Sequence, residues 1–216
     1  MKEGKNNTVL LTVIGIATLL VAVVGATFAY FSAQLSGTEN QSTMVIQATN
    51  GGSSTLDGGD AIKVEDIYPK DDAWVNKKVV VSYDNQSAAA GTKYKYNVGL
   101  HYTNGFETND IQYTITEGWC EGSAAATSLS TCGAAGGTWF SNLTSKGTIT
   151  KTQTTKTAIP VGTGDLDAIA SAEINLPCEN TKQYYTLRIY FVNDASRNQI
   201  QGAEFTGFVT STEVNG

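Results

Sequence analysis

The chain has 216 residues, a formal net charge of −6 and a single histidine. An acidic body does not suit nucleic acid or anionic lipid surfaces as partners, and neither a phosphate-cradling glycine loop nor a nucleic-acid motif is present. One histidine also excludes the usual paired zinc imidazoles.

The first element is apolar. Residues 9–31 read VLLTVIGIATLLVAVVGATFAYF, and no charge occurs between Lys5 and Glu39. Lys2 and Lys5 precede the run, the order of an export signal or a signal anchor. The basic end stays inside and the body goes outside, so an extracellular or cell-surface location is expected. A cleaved signal has an apolar core of about 7–15 residues. A spanning helix needs about 20, so the length favours a retained membrane anchor. Thr27 and Ala29 favour cleavage, because they put small residues where a signal peptidase inspects the chain, with the cut before Tyr30. Both outcomes remain open, and signal peptidase is an expected partner. No pilin-type glutamate stands at the start of the run.

A polar linker, 32–43, comes next. Residues 44–49, MVIQAT, read as a first strand, and Gly and Ser then make a loop to Gly59. Residues 77–83 place Val79, Val81 and Tyr83 on one face and Val80 and Ser82 on the other. The clearest period-two signal is 93–103, where Tyr94, Tyr96, Val98 and Leu100 alternate with Lys93, Lys95, Asn97 and Gly99. Asn104-Gly105 is a turn dipeptide, and 111–116, IQYTIT, alternates again. A hairpin between these two strands is expected.

From Gly118 to Asp165 the composition turns to Gly, Ala, Ser and Thr, which reads as an insertion with an exposed threonine-rich strand. Strands resume at 169–176, at 184–192 with Leu187, Ile189 and Phe191 toward the core, and at 203–211. Short strands between polar turns predict an all-β fold. The expectation is an antiparallel, jelly-roll-like β-sandwich over 44–216, preceded by one N-terminal hydrophobic helix.

Three cysteines are present. Cys120 and Cys132 share one small-residue segment, and pairing them would constrain the unfolded chain by about 3 kcal/mol in the entropy model. The alternative pairs Cys178 with one of them. A zinc site would need a C-x-x-C pair that the chain lacks.

The junction Gly25-Ala26-Thr27-Phe28-Ala29-Tyr30-Phe31 resembles the export signal of the camelysin and TasA-type matrix and surface proteins of Gram-positive bacteria. Val81-Ser82-Tyr83-Asp84-Asn85 followed by Lys93-Tyr94-Lys95-Tyr96-Asn97-Val98 is similar to their first hairpin. The ending Gln201-Gly202-Ala203-Glu204-Phe205-Thr206-Gly207 is similar to a closing strand of such exported proteins. The resemblance implies a jelly roll that joins biofilm matrix fibres or decorates the envelope, with itself or other matrix proteins as partners. It also implies that an N-terminal segment of one subunit can complete a neighbour's sheet. Here the donor would be about Ser42–Thr49, centred on Met44, Val45 and Ile46. Open sheet edges do pair with extended segments, although pairing within the same chain has the smaller entropic cost.

Chemistry is sparse. Camelysin-like proteins have been classed as metallopeptidases, but H-E-x-x-H is absent and His101 stands alone. No G-x-S-x-G elbow supports a serine hydrolase. No enzyme and no cofactor are expected. Asp57, Asp60, Glu65, Asp66, Asp71 and Asp72 could supply oxygens to calcium, without EF-hand spacing. Trp74, Trp119 and Trp139 are candidate aromatics for a glycan platform. The sequence therefore predicts an exported structural protein, with an anchored adhesin or glycan-binding module as the alternative and a secreted metallopeptidase as the weaker one.

Overall fold

The computed structural model describes Thr18 and residues 44–47, 52–65, 67–107, 109–142, 144–192 and 203–214. Two units are distinguished, Met1–Glu39 and Asn40–Gly216. In the first, only Thr18 is described, as helical and exposed. The apolar run, the signal residues Thr27, Ala29 and Tyr30, and the linker therefore lie outside the described residues. So do Ala48, Thr49, Asp66 and the expected loop 193–201. Among the described residues no helix is long and apolar enough to cross a membrane.

The second unit is built from strands. In chain order they are β1 (Met44–Gln47), β2 (Ser53–Asp57), β3 (Ile62–Val64), β4 (Val75–Asn85), β5 (Lys93–Asn104), β6 (Ile111–Glu117) and β7 (Trp119–Glu121). After the short helix α1 (Leu129–Ala134) come β8 (Thr138–Phe140), β9 (Gly147–Lys151), β10 (Gln153–Ala158), β11 (Gly162–Asn175), β12 (Cys178–Phe191) and β13 (Phe205–Glu213). One sheet has the order β1-β2-β4-β12-β6-β10 and the other β3-β13-β5-β11-β9, while β7 and β8 form a separate ribbon. The pairings are antiparallel and the two large sheets make a sandwich. Steps β4 to β5, β5 to β6, β10 to β11, β11 to β12 and β12 to β13 each change sheet. That alternation winds the chain in jelly-roll fashion, with β4-β12-β6-β10 opposite β5-β11-β9.

Alternation decides which side chains fill the space between the sheets. On β5, Tyr94, Tyr96, Val98, Leu100 and Tyr102 are buried, while Lys93 and Thr103 are exposed. On β12, Leu187, Ile189 and Phe191 face the same core, as the sequence predicts, and Tyr185 joins them. A row of tyrosines crosses the sandwich. Tyr83 of β4 stacks on Tyr94 of β5 with ring centroids 3.9 Å apart. The Tyr96 hydroxyl donates to Gln183 Oε1 and lies 2.9 Å from the Tyr185 hydroxyl. Burial pushes the pKa of Tyr96 well above the ordinary tyrosine value and raises that of Tyr185 too, so both stay neutral. The Tyr96 and Tyr185 hydroxyls thereby each keep a partner in the low-dielectric interior.

Three expectations are corrected. The strands β5 and β6 do not form a hairpin: β5 pairs with β11 and β13, and β6 with β12 and β10. The two strands lie in opposite sheets, about 10 Å apart. For the same reason 81–85 and 93–98 do not make a first hairpin, because β4 and β5 lie in opposite sheets. Finally, the loop expected up to Gly59 contains β2, which pairs with β1 on one side and β4 on the other. Its Ser54 and Leu56 are buried, and a strand so short and serine-rich shows no clear apolar alternation.

Candidate functional site

Two places in the second unit combine access with unusual construction. The first is the β1 edge of the six-stranded sheet. Met44, Val45, Ile46 and Gln47 pair with Leu56, Thr55, Ser54 and Ser53 of the same chain. β2 pairs with β4 only from Ser53↔Asp84 to Asp57↔Val80. Past Asp57, Gly58 and Gly59 carry the chain toward β3 in the other sheet, so among the described residues 75–79 of β4 have a strand neighbour in β12 alone.

The second is a flap, residues 118–142, on the outer face of that sheet. β6 leaves β12 after Glu117↔Tyr185. Gly118 N then donates to Tyr184 O at 2.8 Å. At the other end the Asn142 side chain accepts from Tyr184 N and donates to Tyr184 O. Both ends of the flap are thus tied to one residue of β12. Gly118 has φ +84, and a Cβ there would collide with the Trp139 ring, so glycine meets both demands. The disulfide Cys120–Cys132 joins β7 to α1. Ser128 caps α1, accepting from Thr131 N, with the Thr131 side chain returning to the Ser128 backbone. Cys178 is buried and free, its thiol turned toward Tyr83 O.

Under the flap, two polar residues on the outward side of β12 become buried. Thr186 Oγ1 donates to Gly118 O at 2.6 Å. The Arg188 guanidinium, only 4% exposed, donates to Thr116 Oγ1 at 3.1 Å and Ala126 O at 2.8 Å. Burial lowers its pKa. Alternation alone marks these positions as solvent-facing; the covering flap is what the sequence pattern does not reveal.

The three tryptophans are separated. Trp74 donates its indole N–H to Tyr68 O at 3.0 Å, meets the Tyr68 ring edge-on and carries the Lys70 ammonium over its own face at 3.9 Å. Its ring face is therefore already occupied. Trp139 packs against the buried cluster of Cys120, Ala126 and Cys132. Trp119 lines a cavity. This open groove of about 390 Å³ lies between Gly59–Lys63, the Val75–Lys78 stretch of β4 and Trp119. Lys63, Lys77, Lys78 and Asp60 line it, with Glu65 paired to Lys63 at 2.8 Å and Glu121 3.6 Å from Lys78. Nothing in the sequence pattern brings these lysines together, because their convergence depends on which strands meet. Lys77 Nζ donates to the Asp60 backbone carbonyl, and burial lowers its pKa. The Trp119 indole donates to Glu121 Oε2 at 3.0 Å, and this bond, helped by Lys78 at 3.6 Å, lowers the Glu121 pKa.

His101 sits on the outward face of β5 with Nδ1 2.8 Å from Asp165 Oδ1 and its ring near Phe208. The pairing follows from register, since Asp165 lies directly opposite His101 on β11. Among the described residues no three His, Cys, Asp or Glu side chains converge as metal ligands. In the acidic cluster suggested for calcium, Glu65 pairs with Lys63, Asp57 Oδ1 accepts from Gly59 N, and Asp71 and Asp72 are exposed.

The chain matches no protein-family model, and no curated protein or solved structure is significantly similar to it. The functional reading therefore rests on the residues and on the fold.

Proposed function

We propose that this is an exported structural protein of the cell surface or extracellular matrix, whose β-sandwich body joins copies of itself or other matrix proteins. The observation that carries the reading is the place of β1. It forms the outer strand of the six-stranded sheet, is paired through β2 alone over Met44–Gln47, and follows directly on the polar stretch 32–43. A strand held in this way can pair with β2 of another copy using the same backbone bonds, which makes exchange between subunits inexpensive. The apolar run 9–31 with its basic head supports export, with membrane attachment if the run is retained.

Negative-stain electron microscopy of residues 30–216, concentrated at neutral pH, tests this. Regular filaments are expected, and deletion of Ser42–Thr49 should abolish them. A strictly monomeric protein at high concentration would sink the proposal. An anchored binding module is the second reading. It is favoured by the Trp119 groove, and uniform small particles that bind a ligand would select it.

A further inference from the structure

We propose that Lys77 straps the β2–β3 connection to the open half of the β4 edge and thereby keeps strands of other molecules from pairing there. The proposal rests on the assembly reading only in naming β1 as the edge left open to partners. It begins with a backbone row that has one neighbour. β4 runs from Val75 to Asn85, but β2 accompanies it only over 80–84, so among the described residues 75–79 pair with β12 alone. An unpaired row of backbone N–H and C=O groups is a template for another chain.

The chain leaves β4 by a defined turn. Asp57, the last residue of β2, accepts at Oδ1 from Gly59 N at 3.2 Å. Gly59 takes φ +62, a left-handed conformation open to glycine at little cost. The turn delivers the Asp60 carbonyl to Lys77, at the middle of the unpaired stretch, and Lys77 Nζ donates to it. The ammonium also rests against the turn, 3.6 Å from where a Cβ on Gly59 would stand. The bond keeps Gly59–Lys63 alongside the edge as the facing wall of the groove. Lys77 is partly buried there; burial lowers its pKa, while Asp60 and Asp57 act in the opposite sense. A strand added at 75–79 would run about 4.8 Å from β4, between the edge and that wall. It would compete with Asp60 O for the ammonium and strip water from a charged group, which is costly. Lys78 projects to the other side of the strand and meets Glu121 of the flap at 3.6 Å, so both flanks of the edge carry a lysine with a partner.

The far edge of the same sheet is also interrupted, by different means. β10 shifts register between Gln153 and Thr157, and the Gln153 amide and the Thr157 hydroxyl both donate to Thr155 O. Bulges and edge lysines are recurrent means by which sheets avoid edge-to-edge pairing. The stretch 40–56, which contains β1, holds neither a charged residue nor a proline. Closure at Lys77 and irregularity at β10, set against an uncharged β1, direct pairing to one edge.

The test uses the full chain in detergent micelles, with and without deletion of Ser42–Thr49, and compares Lys77→Thr with Lys77→Arg. Threonine removes the ammonium yet suits a strand, whereas arginine keeps a charged donor for Asp60 O. Circular dichroism and the thermal midpoint establish that each variant is folded. In the deleted background Lys77→Thr is expected to associate as concentration rises, about doubling the weight-average mass in sedimentation. Hydrogen exchange at 75–79 should slow in step with that association. Lys77→Arg should behave as its parent. The same exchange comparison in the undeleted chain carries the test if the deletion unfolds the protein. The proposal is overturned if folded Lys77→Thr keeps its parent's mass, if it associates without added protection at 75–79, or if Lys77→Arg associates equally. The readings without Ser42–Thr49 do not depend on filament formation by the wild type, so failure of the strap and failure of the assembly reading are distinguishable.

Discussion

The sandwich and the flap are stable for opposite reasons. The sandwich buries a continuous core of strands from distant parts of the chain, with Val79, Leu100, Ile115, Ile174 and Leu187 all wholly buried. The flap buries only Cys120, Ala126 and Cys132, with Trp139 against them, too little apolar surface to order a segment of its length. Its order comes from a covalent link, glycine geometry at Gly118, and hydrogen bonds to Tyr184, Thr186 and Arg188 of β12. A large core tolerates the loss of one contact because many remain. A small appendage depends on a few specific links, each of which can be cut separately.

Leu187→Ala should have the largest effect, because Leu187 is wholly buried on the central strand β12, between β4 and β6. A loss of about 3 kcal/mol is expected from transfer and cavity terms, read as a lower urea midpoint for the whole second unit. Next comes Cys120→Ser with Cys132→Ser. The entropy model gives about 3 kcal/mol for a loop of this size, but the loss should stay within the flap. Hydrogen exchange is expected to accelerate over 118–142 while the urea midpoint of the sandwich barely moves. A midpoint drop as large as that of Leu187→Ala would show that the flap is part of the core after all.

Arg188→Met tests the join between the two regions. It leaves Ala126 O and Thr116 Oγ1 without this donor. A cost of about 1–3 kcal/mol is expected, seen first as faster exchange around Ala126. Exchange confined to β12 would break the link between guanidinium and flap.

Lys93→Met should be the mildest change, with at most a few tenths of a kcal/mol expected from a surface pair. Lys93 donates to Glu173, and this bond lowers the Glu173 pKa. A depressed carboxylate contributes stability above its unfolded value, about 4.3, and loses it as pH falls through the folded value. The variant should therefore lose a little stability at neutral pH and have a shallower acid limb. An identical pH profile would show the pair to be energetically silent.

Much of the strand content was legible because alternation reports one thing well, the side of a strand that faces a core. Tyr94, Tyr96, Val98 and Leu100 show it, as do Leu187, Ile189 and Phe191. The Cys120–Cys132 bridge was legible because its partners are near in sequence and share one small-residue segment. β2 was not, since two buried residues in SSTLD give no usable period.

The sequence by itself determined the class of fold, the core-facing residues of its longest strands and the favoured disulfide, because these depend on local period and short separations. Only the tertiary structure decided which strands are neighbours, sending β5 and β6 to opposite sheets and setting Asp165 across from His101. It alone buried Arg188 beneath the flap and drew Lys63, Lys77, Lys78 and Trp119 to one groove. The reason is physical. Alternation says which way a side chain points, but what it meets there depends on pairings between segments far apart in the chain, and the competition among those pairings is settled only when the whole core packs.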